Sequence, residues 1–191
     1  MKALETIESA RLVLQCPQHK DAEAIFSAYA SDPVVTRYVG WPRHESLADT
    51  NAFLAFSKAE WCRWPAGPYL IRSRADGALL GSTGLAFETT YRASTGYVLS
   101  RDAWGKGYAT EALQAMVGVA RSVGIRRLYA ICLIEHRASW RVLEKCGFLR
   151  EGVLHQYVEF PNLRPGELSD VFCYALLLTP TPARPCLWKH F

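Results

Sequence analysis

The sequence predicts an α+β (mixed α/β) fold, and three stretches predict it. "RRLYAICLI" (126–134) is almost continuously apolar, as a strand buried on both faces is. "YATEALQAMVGVARSV" (108–123) carries apolar residues at helical spacing, just after two glycines. "PYLIRSRADGALLGSTGLAF" (68–87) has β-type runs on both sides of Asp76-Gly77, the pattern of a hairpin. Hairpins mixed with strand–helix alternation imply one mixed sheet with helices packed on it.

The elements follow in order. "RLVLQC" (11–16) alternates and reads as a strand. "KDAEAIFSAYAS" (20–31) reads as a helix capped by Asp21. "VTRYVGWPRHES" (35–46) holds Gly and Pro and reads as a loop. "LADTNAFLAFSKAEWCRW" (47–64) reads as a second helix, stopped by Pro65. After the hairpin, "STGYVLS" (94–100) is a strand, and Gly124 ends the long helix as a C-terminal cap. "RASWRVLEKCGF" (137–148) is a short helix closed by Gly147. "LREGVLHQYVEF" (149–160) and "LSDVFCYALLL" (168–178) are the last strands. The expectation is about seven strands and about four helices in a single domain, 1–178, followed by a proline-rich tail, 179–191.

Composition limits the function. The 191 residues are 50% hydrophobic and 21% charged, with a net charge of +4. A chain of this length buries a full core without disulfides or structural metal. The basic residues are scattered, so no nucleic-acid partner is expected. No segment approaches a membrane span, and "MKALETIESARLVL" lacks the apolar run of a signal peptide. Cysteines 16, 62, 132, 146, 173 and 186 form no C-x-x-C pair and read as buried, reduced thiols. These features together predict a cytoplasmic location and no metal.

The stretch "DAWGKGYATEAL" (102–113) carries the chemistry. A Walker-type loop needs Ser or Thr after Gly-Lys, and here Gly107 follows Lys106. A G-x-G-x-x-G cradle begins with Gly105 and Gly107 but meets Thr110. What remains is a strand, a glycine loop and a helix N-terminus. Unpaired amides and the positive end of the helix dipole converge there, which suits a phosphate or pyrophosphate. The competing reading is a tight strand-to-helix turn that needs glycine for its own geometry.

"GYVLSRDAWGKGYATEAL" together with "RASWRVLEKCGF" resembles the GNAT superfamily of N-acetyltransferases, most closely the RimJ/RimL-like branch that acetylates ribosomal-protein N-termini. "ESARLVLQCPQHKDAEAIFSAYASDPVVTRYVGWP", "LLGSTGL" and "LHQYVEFPNLRPGELSDVFCYALLL" are similar to that family's first strand and substrate-side helices, its third strand and its closing hairpin. The resemblance covers roughly residues 8–178. It implies a sheet that splays between the fourth and fifth strands, about 94–100 and 127–133. The pantetheine arm of acetyl-CoA would enter the gap and bond to the backbone near Val98, Leu99 and Ser100. The pyrophosphate would rest on amides of Trp104, Gly105, Lys106, Gly107, Tyr108, Ala109 and Thr110. The family often has Gln or Arg where this chain has Trp104, so no side-chain anion contact is expected there. Lys106 is open between neutralising phosphate and simple solvation.

The resemblance further implies acetyl transfer to a primary amine, a protein N-terminus or a small molecule, by direct attack on the thioester. The Leu99 amide would polarise the acetyl carbonyl. Ser139 would protonate the leaving thiolate; a helix N-cap is its competing role. Tyr157 is a second candidate acid. Glu88 would draw a proton from the amine through water, against an exposed strand-end charge as the plain alternative, and Glu159 is similar. The family's glutamate two residues before Gly-Tyr is replaced by Ser94. His136 stands where the family often has a cofactor-contacting asparagine. Trp41, Arg43, His44 and the helix from about 47 to 64 would line the acceptor side. The partners implied are acetyl-CoA, an amine, no membrane, and a monomer or homodimer. The competing functional classes are a non-catalytic acyl-CoA-binding module and a nucleotide-binding regulator.

Overall fold

A computed structural model of the chain describes residues 1–178; the tail expected at 179–191 lies outside the described residues. The described strands are β1 (Thr6–Glu8), β2 (Leu12–Gln15), β3 (Pro68–Ser73), β4 (Leu79–Phe87), β5 (Arg92–Leu99), β6 (Arg127–Leu133), β7 (Leu149–Glu159) and β8 (Leu168–Leu177). The described helices are α1 (Ala22–Ile25), α2 (Leu47–Arg63), α3 (Tyr108–Ser122) and α4 (Arg137–Lys145). The sheet has eight strands in the order β1-β2-β3-β4-β5-β6-β8-β7, one more than expected. The added strand, β1, has three residues, too few to reveal an alternation.

Helix α3 builds the larger core. It buries Ala112, Leu113, Met116, Val117, Val119 and Ala120, one stripe at helical spacing. These side chains join Leu85, Phe87, Ala93, Leu99, Leu128 and Ala130 from the sheet. Each fully buried large aliphatic here contributes about 1.5–3 kcal/mol relative to exposure. Gly124 follows α3 as expected, and the Ile125 N–H reaches back to the Ala120 carbonyl (2.9 Å). On the opposite face, Ile25, Tyr29, Val35 and Leu54 pack on Leu70 and Val98.

Three expectations are corrected. The helix expected over 20–31 is broken into a 3₁₀ turn at His19–Asp21, the short α1, and a wide π turn at Phe26–Ala30. Asp21 stands at the N-cap position of α1, but its side chain does not cap that helix. It sits three residues after Gln18, accepts the Gln18 N–H (2.8 Å) and pairs with Arg72 (2.7 Å) on β3 while 3% exposed. The cysteines are not uniformly buried. Cys132 is buried, Cys16, Cys146 and Cys173 are half-buried, and Cys62 is exposed. α2 turns Thr50, Leu54, Ser57 and Trp61 inward, which leaves Cys62 on its outer side. Cys186 lies outside the described residues.

β5 and β6 run parallel but pair over three positions only, Arg92↔Arg127, Ala93↔Leu128 and Ser94↔Tyr129. Beyond them β5 keeps its antiparallel ladder with β4 up to Leu99, and β6 keeps its ladder with β8 up to Leu133. The sheet is therefore open between the C-terminal halves of β5 and β6. This is the splay expected at 94–100 and 127–133.

Candidate active site

The loop at the open end of β5 is built for backbone donors. Gly105 and Gly107 both have positive φ (72° and 80°), a region that residues with a Cβ rarely enter. Gly107 holds the N-cap position of α3 and no side chain caps that end. The first bond of the helix runs from the Glu111 N–H to the Gly107 carbonyl (3.2 Å). The Tyr108, Ala109 and Thr110 N–H groups thus lack intrahelical partners and sit at the positive end of the dipole. Lys106 is exposed beside them. The Trp104 indole N–H donates to the Leu99 carbonyl (2.7 Å), so it is committed within the protein.

The strand is oriented to match. The Ser100 N–H donates to the Leu80 carbonyl on β4 (2.8 Å). Backbone direction alternates along a strand, so the Leu99 N–H and carbonyl face away from β4, into the gap. Val98 and Ser100 turn their amides toward β4, and Val98 pairs with Ser82.

Arg11, which no local pattern singles out, fixes the loop. Its Nη1 donates to the Lys106 carbonyl (2.8 Å) and its Nε to Glu111 (2.7 Å). Its backbone N–H and the Ser9 hydroxyl also bond Glu111 (2.7 and 2.8 Å), and the guanidinium lies over the Tyr108 ring at 4.7 Å. Burial alone would raise the Glu111 carboxyl; the Arg11 N–H, the Ser9 hydroxyl and the guanidinium more than offset it and hold it below the usual range. Lysine offers no such fork. We expect Arg11→Ala to raise the KM for acetyl-CoA about tenfold, the loss of one charge-assisted bond, with kcat at saturation nearly kept. Arg11→Lys should recover only part of the loss. Initial rates against cofactor concentration check this, and an unchanged KM in Arg11→Ala would remove the role.

Ser139 lies in the first turn of α4, which begins at Arg137 with His136 at the N-cap position. It is therefore not the helix cap. The Tyr97 hydroxyl, on the gap-lining strand, contacts the Ser139 carbonyl (3.4 Å), so the turn sits beside the gap. Burial pushes the Tyr97 phenol up to about 12. The His136 ring stacks on Tyr38 (4.4 Å between centroids), and burial lowers its pKa. Glu88 follows β4, and its carboxylate is taken by Arg92 (2.5 Å) and the Tyr129 hydroxyl. Arg92 opens β5 and Leu99 closes it, so at about 3.3 Å per residue Glu88 stands roughly 20 Å from the Leu99 amide. Tyr157 is half exposed on β7, inside the irregular stretch between Leu154 and Val158. Glu159, near the end of that strand, accepts the Gly166 N–H (2.9 Å).

On the other face of the sheet, a cavity of about 570 Å³ collects Trp41, Arg43 and His44 with Tyr29, Phe53 and Phe56. The first three and the helix 47–64, which carries Phe53 and Phe56, were expected there; Tyr29 of the π turn was not. Asn162, from the loop between β7 and β8, clamps this wall. It accepts the Arg43 N–H (2.8 Å) and donates to the Thr36 and Trp41 carbonyls (2.9 and 2.8 Å). His44 Nδ1 shares a hydrogen with Thr50 Oγ1 (2.9 Å), and burial lowers its pKa.

A split sheet, an uncapped helix with a double-glycine loop, and a cavity across the sheet suit an extended ligand with an anionic group at one end and a second ligand opposite it. The sequence profile described as the acetyltransferase (GNAT) domain matches residues 11–149. YoaA of Bacillus subtilis (strain 168), named an uncharacterized N-acetyltransferase, is 32% identical over 160 residues, 80% of this chain and 87% of its own length. The crystal structure of a GNAT-family acetyltransferase from Bacillus anthracis superposes with a TM-score of 0.77 at 27% identity, covering 90% of this chain and 98% of that one. RimL, an α-N-acetyltransferase of ribosomal protein L7/L12 solved with coenzyme A, superposes with a TM-score of 0.78 at 24% identity, covering 91% and 98%. The chain belongs to the GNAT acetyltransferase family, and acetyl-CoA is its acetyl donor. The residues fit that donor: the free amides of 108–110 suit its pyrophosphate, and the gap beside Leu99 suits its pantetheine arm.

Proposed function

We propose that the protein moves an acetyl group onto a primary amine that arrives from the cavity side of the sheet, a protein N-terminus or a small molecule. The observation that supports this best is the Leu99 amide. It faces the open gap, between the pyrophosphate loop and the cavity. Bound acetyl-CoA supplies an activated acyl thioester. The Leu99 N–H is aimed to donate to the acyl oxygen as charge develops there. The cavity holds the amine close, and proximity supplies a large share of the rate. Ser139 stands beside the gap and hands its hydroxyl proton to the departing sulfur, recovering it from solvent. Glu88 is engaged elsewhere, so the proton of the amine leaves through water.

The test joins a melt to a rate. Coenzyme A at about 100 times its Kd adds about 2.7 kcal/mol, a rise of roughly 5–10 °C for a chain of this size, while ATP gives none. Thiol release from acetyl-CoA over a panel of amines then reports turnover. In Ser139→Ala we expect kcat to fall about tenfold, at the low end of general acid catalysis, with the melting shift intact. A melt indifferent to coenzyme A removes the reading. A full kcat in Ser139→Ala removes the acid alone.

A further inference from the structure

We propose that the cavity selects a small primary amine carrying an aromatic ring with a hydrogen-bond acceptor on it, in preference to a polypeptide N-terminus or an aliphatic polyamine. The proposal rests on the acetyl-transfer reading and names its acceptor.

The cavity is of small-ligand size and its lining is aromatic. Trp41 stands on the loop side, Phe53 and Phe56 on α2, and Tyr29 at the end where the π turn meets the sheet. Phe56 is 55% exposed, a large ring that the fold leaves uncovered beside the cavity. A planar apolar ligand would cover it and gain offset or edge contacts with the other rings.

Tyr29 supplies the second observation. It lines the cavity, it is 2% exposed, and its hydroxyl, near that of Ser82, meets no partner at hydrogen-bonding geometry among the described residues. Burial drives its pKa well above the ordinary phenol range, and the Ser82 hydroxyl nearby offsets this only in part, so it stays protonated. A buried donor without a partner is costly and uncommon. An acceptor atom on the ligand would satisfy it.

The charges argue against a polyamine. Glu45 is within 3.8 Å of Arg43. One oxygen of Asp49 accepts the Glu45 and Ser46 N–H groups (2.9 Å each) and contacts the Ser46 hydroxyl (3.1 Å). Asp49 is thus engaged by neighbours and the Glu45 side chain stands 83% exposed in solvent, so no run of carboxylates faces the cavity for a string of ammonium groups. His44, its pKa lowered by burial, adds no fixed charge.

The floor connects this pocket to the chemistry. Ser82 lines the cavity and pairs with Val98 on β5. The floor is therefore one strand spacing, about 5 Å, from the strand whose Leu99 amide faces the gap. A ring held between Trp41 and Phe56 extends a short aminoalkyl arm toward that strand.

The experiment is thiol release from acetyl-CoA with tyramine, phenethylamine, n-butylamine, spermidine and a seryl hexapeptide. The coenzyme A melting shift in each variant serves as the folding control. We expect kcat/KM for tyramine to exceed that for n-butylamine by at least about tenfold, the scale of a few buried apolar groups. Phe56→Ala should raise KM for tyramine more than for n-butylamine. Tyr29→Phe should erase the preference for tyramine over phenethylamine. Faster turnover with spermidine or the peptide, no turnover with either aromatic amine, or a tyramine preference that survives Tyr29→Phe overturns the proposal while the coenzyme A shift stands. Loss of that shift in the unmodified protein overturns the acetyl-transfer reading itself.

Discussion

Gly107→Val should abolish measurable coenzyme A binding while the sheet stays folded. Gly107 holds φ +80° at the N-cap of α3. A residue with a Cβ loses about 1–2 kcal/mol in this region, and a branched one loses more because its methyl groups meet the following peptide. The added Cβ would also stand 3.4 Å from Arg11 Nη2, so the branches of valine push on the guanidinium that bonds the Lys106 carbonyl. The loop relieves both strains in one way, by leaving the left-handed region. That rotates the peptides on either side of residue 107 and swings the Tyr108 amide away from its neighbours. Donors that no longer converge lose the anion. We expect at least about 100-fold weaker binding, equivalent to about 2.7 kcal/mol. The buried stripe of α3 is unaffected, so the far-ultraviolet spectrum should be kept. Gly105→Ala is the graded comparison. Its φ is +72° but no atom of the described residues lies within 4 Å of the new Cβ, so only backbone strain remains and the loss should be about tenfold. Titration calorimetry on the two variants decides it, and equal affinities for Gly107→Val and the unmodified chain would end the argument.

That loop was legible in the sequence because its physics is local. Two glycines at a strand–helix junction declare positive φ and bare amides without reference to anything else. The same holds for α3, whose apolar stripe sets its buried face; β6 was expected to be buried on both faces, but Leu128, Ala130 and Cys132 are buried while Arg127, Tyr129 and Ile131 are only half-buried. The support of the loop was not legible. Arg11 and Glu111 are a hundred positions apart, and nothing local in "RLVLQC" shows that its first side chain reaches across to α3. Asn162 is similar: it holds Thr36, Trp41 and Arg43 from 119 or more positions away. The acceptor cavity was half legible. Trp41, Arg43 and His44 sit on a Gly-Pro loop, where exposed aromatic and polar residues invite attention. Tyr29, Phe53 and Phe56 lie inside helical patterns, where an aromatic residue is indistinguishable from core. The π turn that places Tyr29 has no signal in the run "AIFSAYA". Glu88 was misjudged for reach: its proximity to Arg92 and Tyr129 is a matter of how β4 turns into β5 and of the parallel register with β6.

Gly81→Ala should be the most destabilising single-methyl change in the sheet, and it should take the active strand with it. Gly81 pairs with Leu99 in the β4–β5 ladder, next to the irregularity where Ile71 and Arg72 shift register against β4. Its φ is +156°, and a Cβ built on it would lie 2.0 Å from the Val98 carbonyl oxygen and 2.9 Å from the Leu99 Cα. Both are backbone atoms of the strand whose amide faces the gap, so no side-chain rotation clears the contact. β5 must move by about 1 Å or more, or the ladder must open. Backbone strain of this kind in a central strand belongs to the rare class costing about 4 kcal/mol or more. For a chain of this size that lowers Tm by roughly 10 °C. The displaced strand also carries Leu99 away from its position beside the pyrophosphate loop, so the molecules that remain folded should bind coenzyme A poorly. Gly96→Ala separates this from a general intolerance of the strand. Gly96 lies on the same β5, opposite Gly84, and its added Cβ meets nothing within 4 Å among the described residues. Its stability should stay within about 1 kcal/mol of the parent, with reduced unfolded-chain entropy acting in its favour. Melting curves of the two variants with and without coenzyme A make the comparison. Equal Tm values for Gly81→Ala and Gly96→Ala would mean that β4 and β5 are not held as closely as the 2.0 Å approach requires.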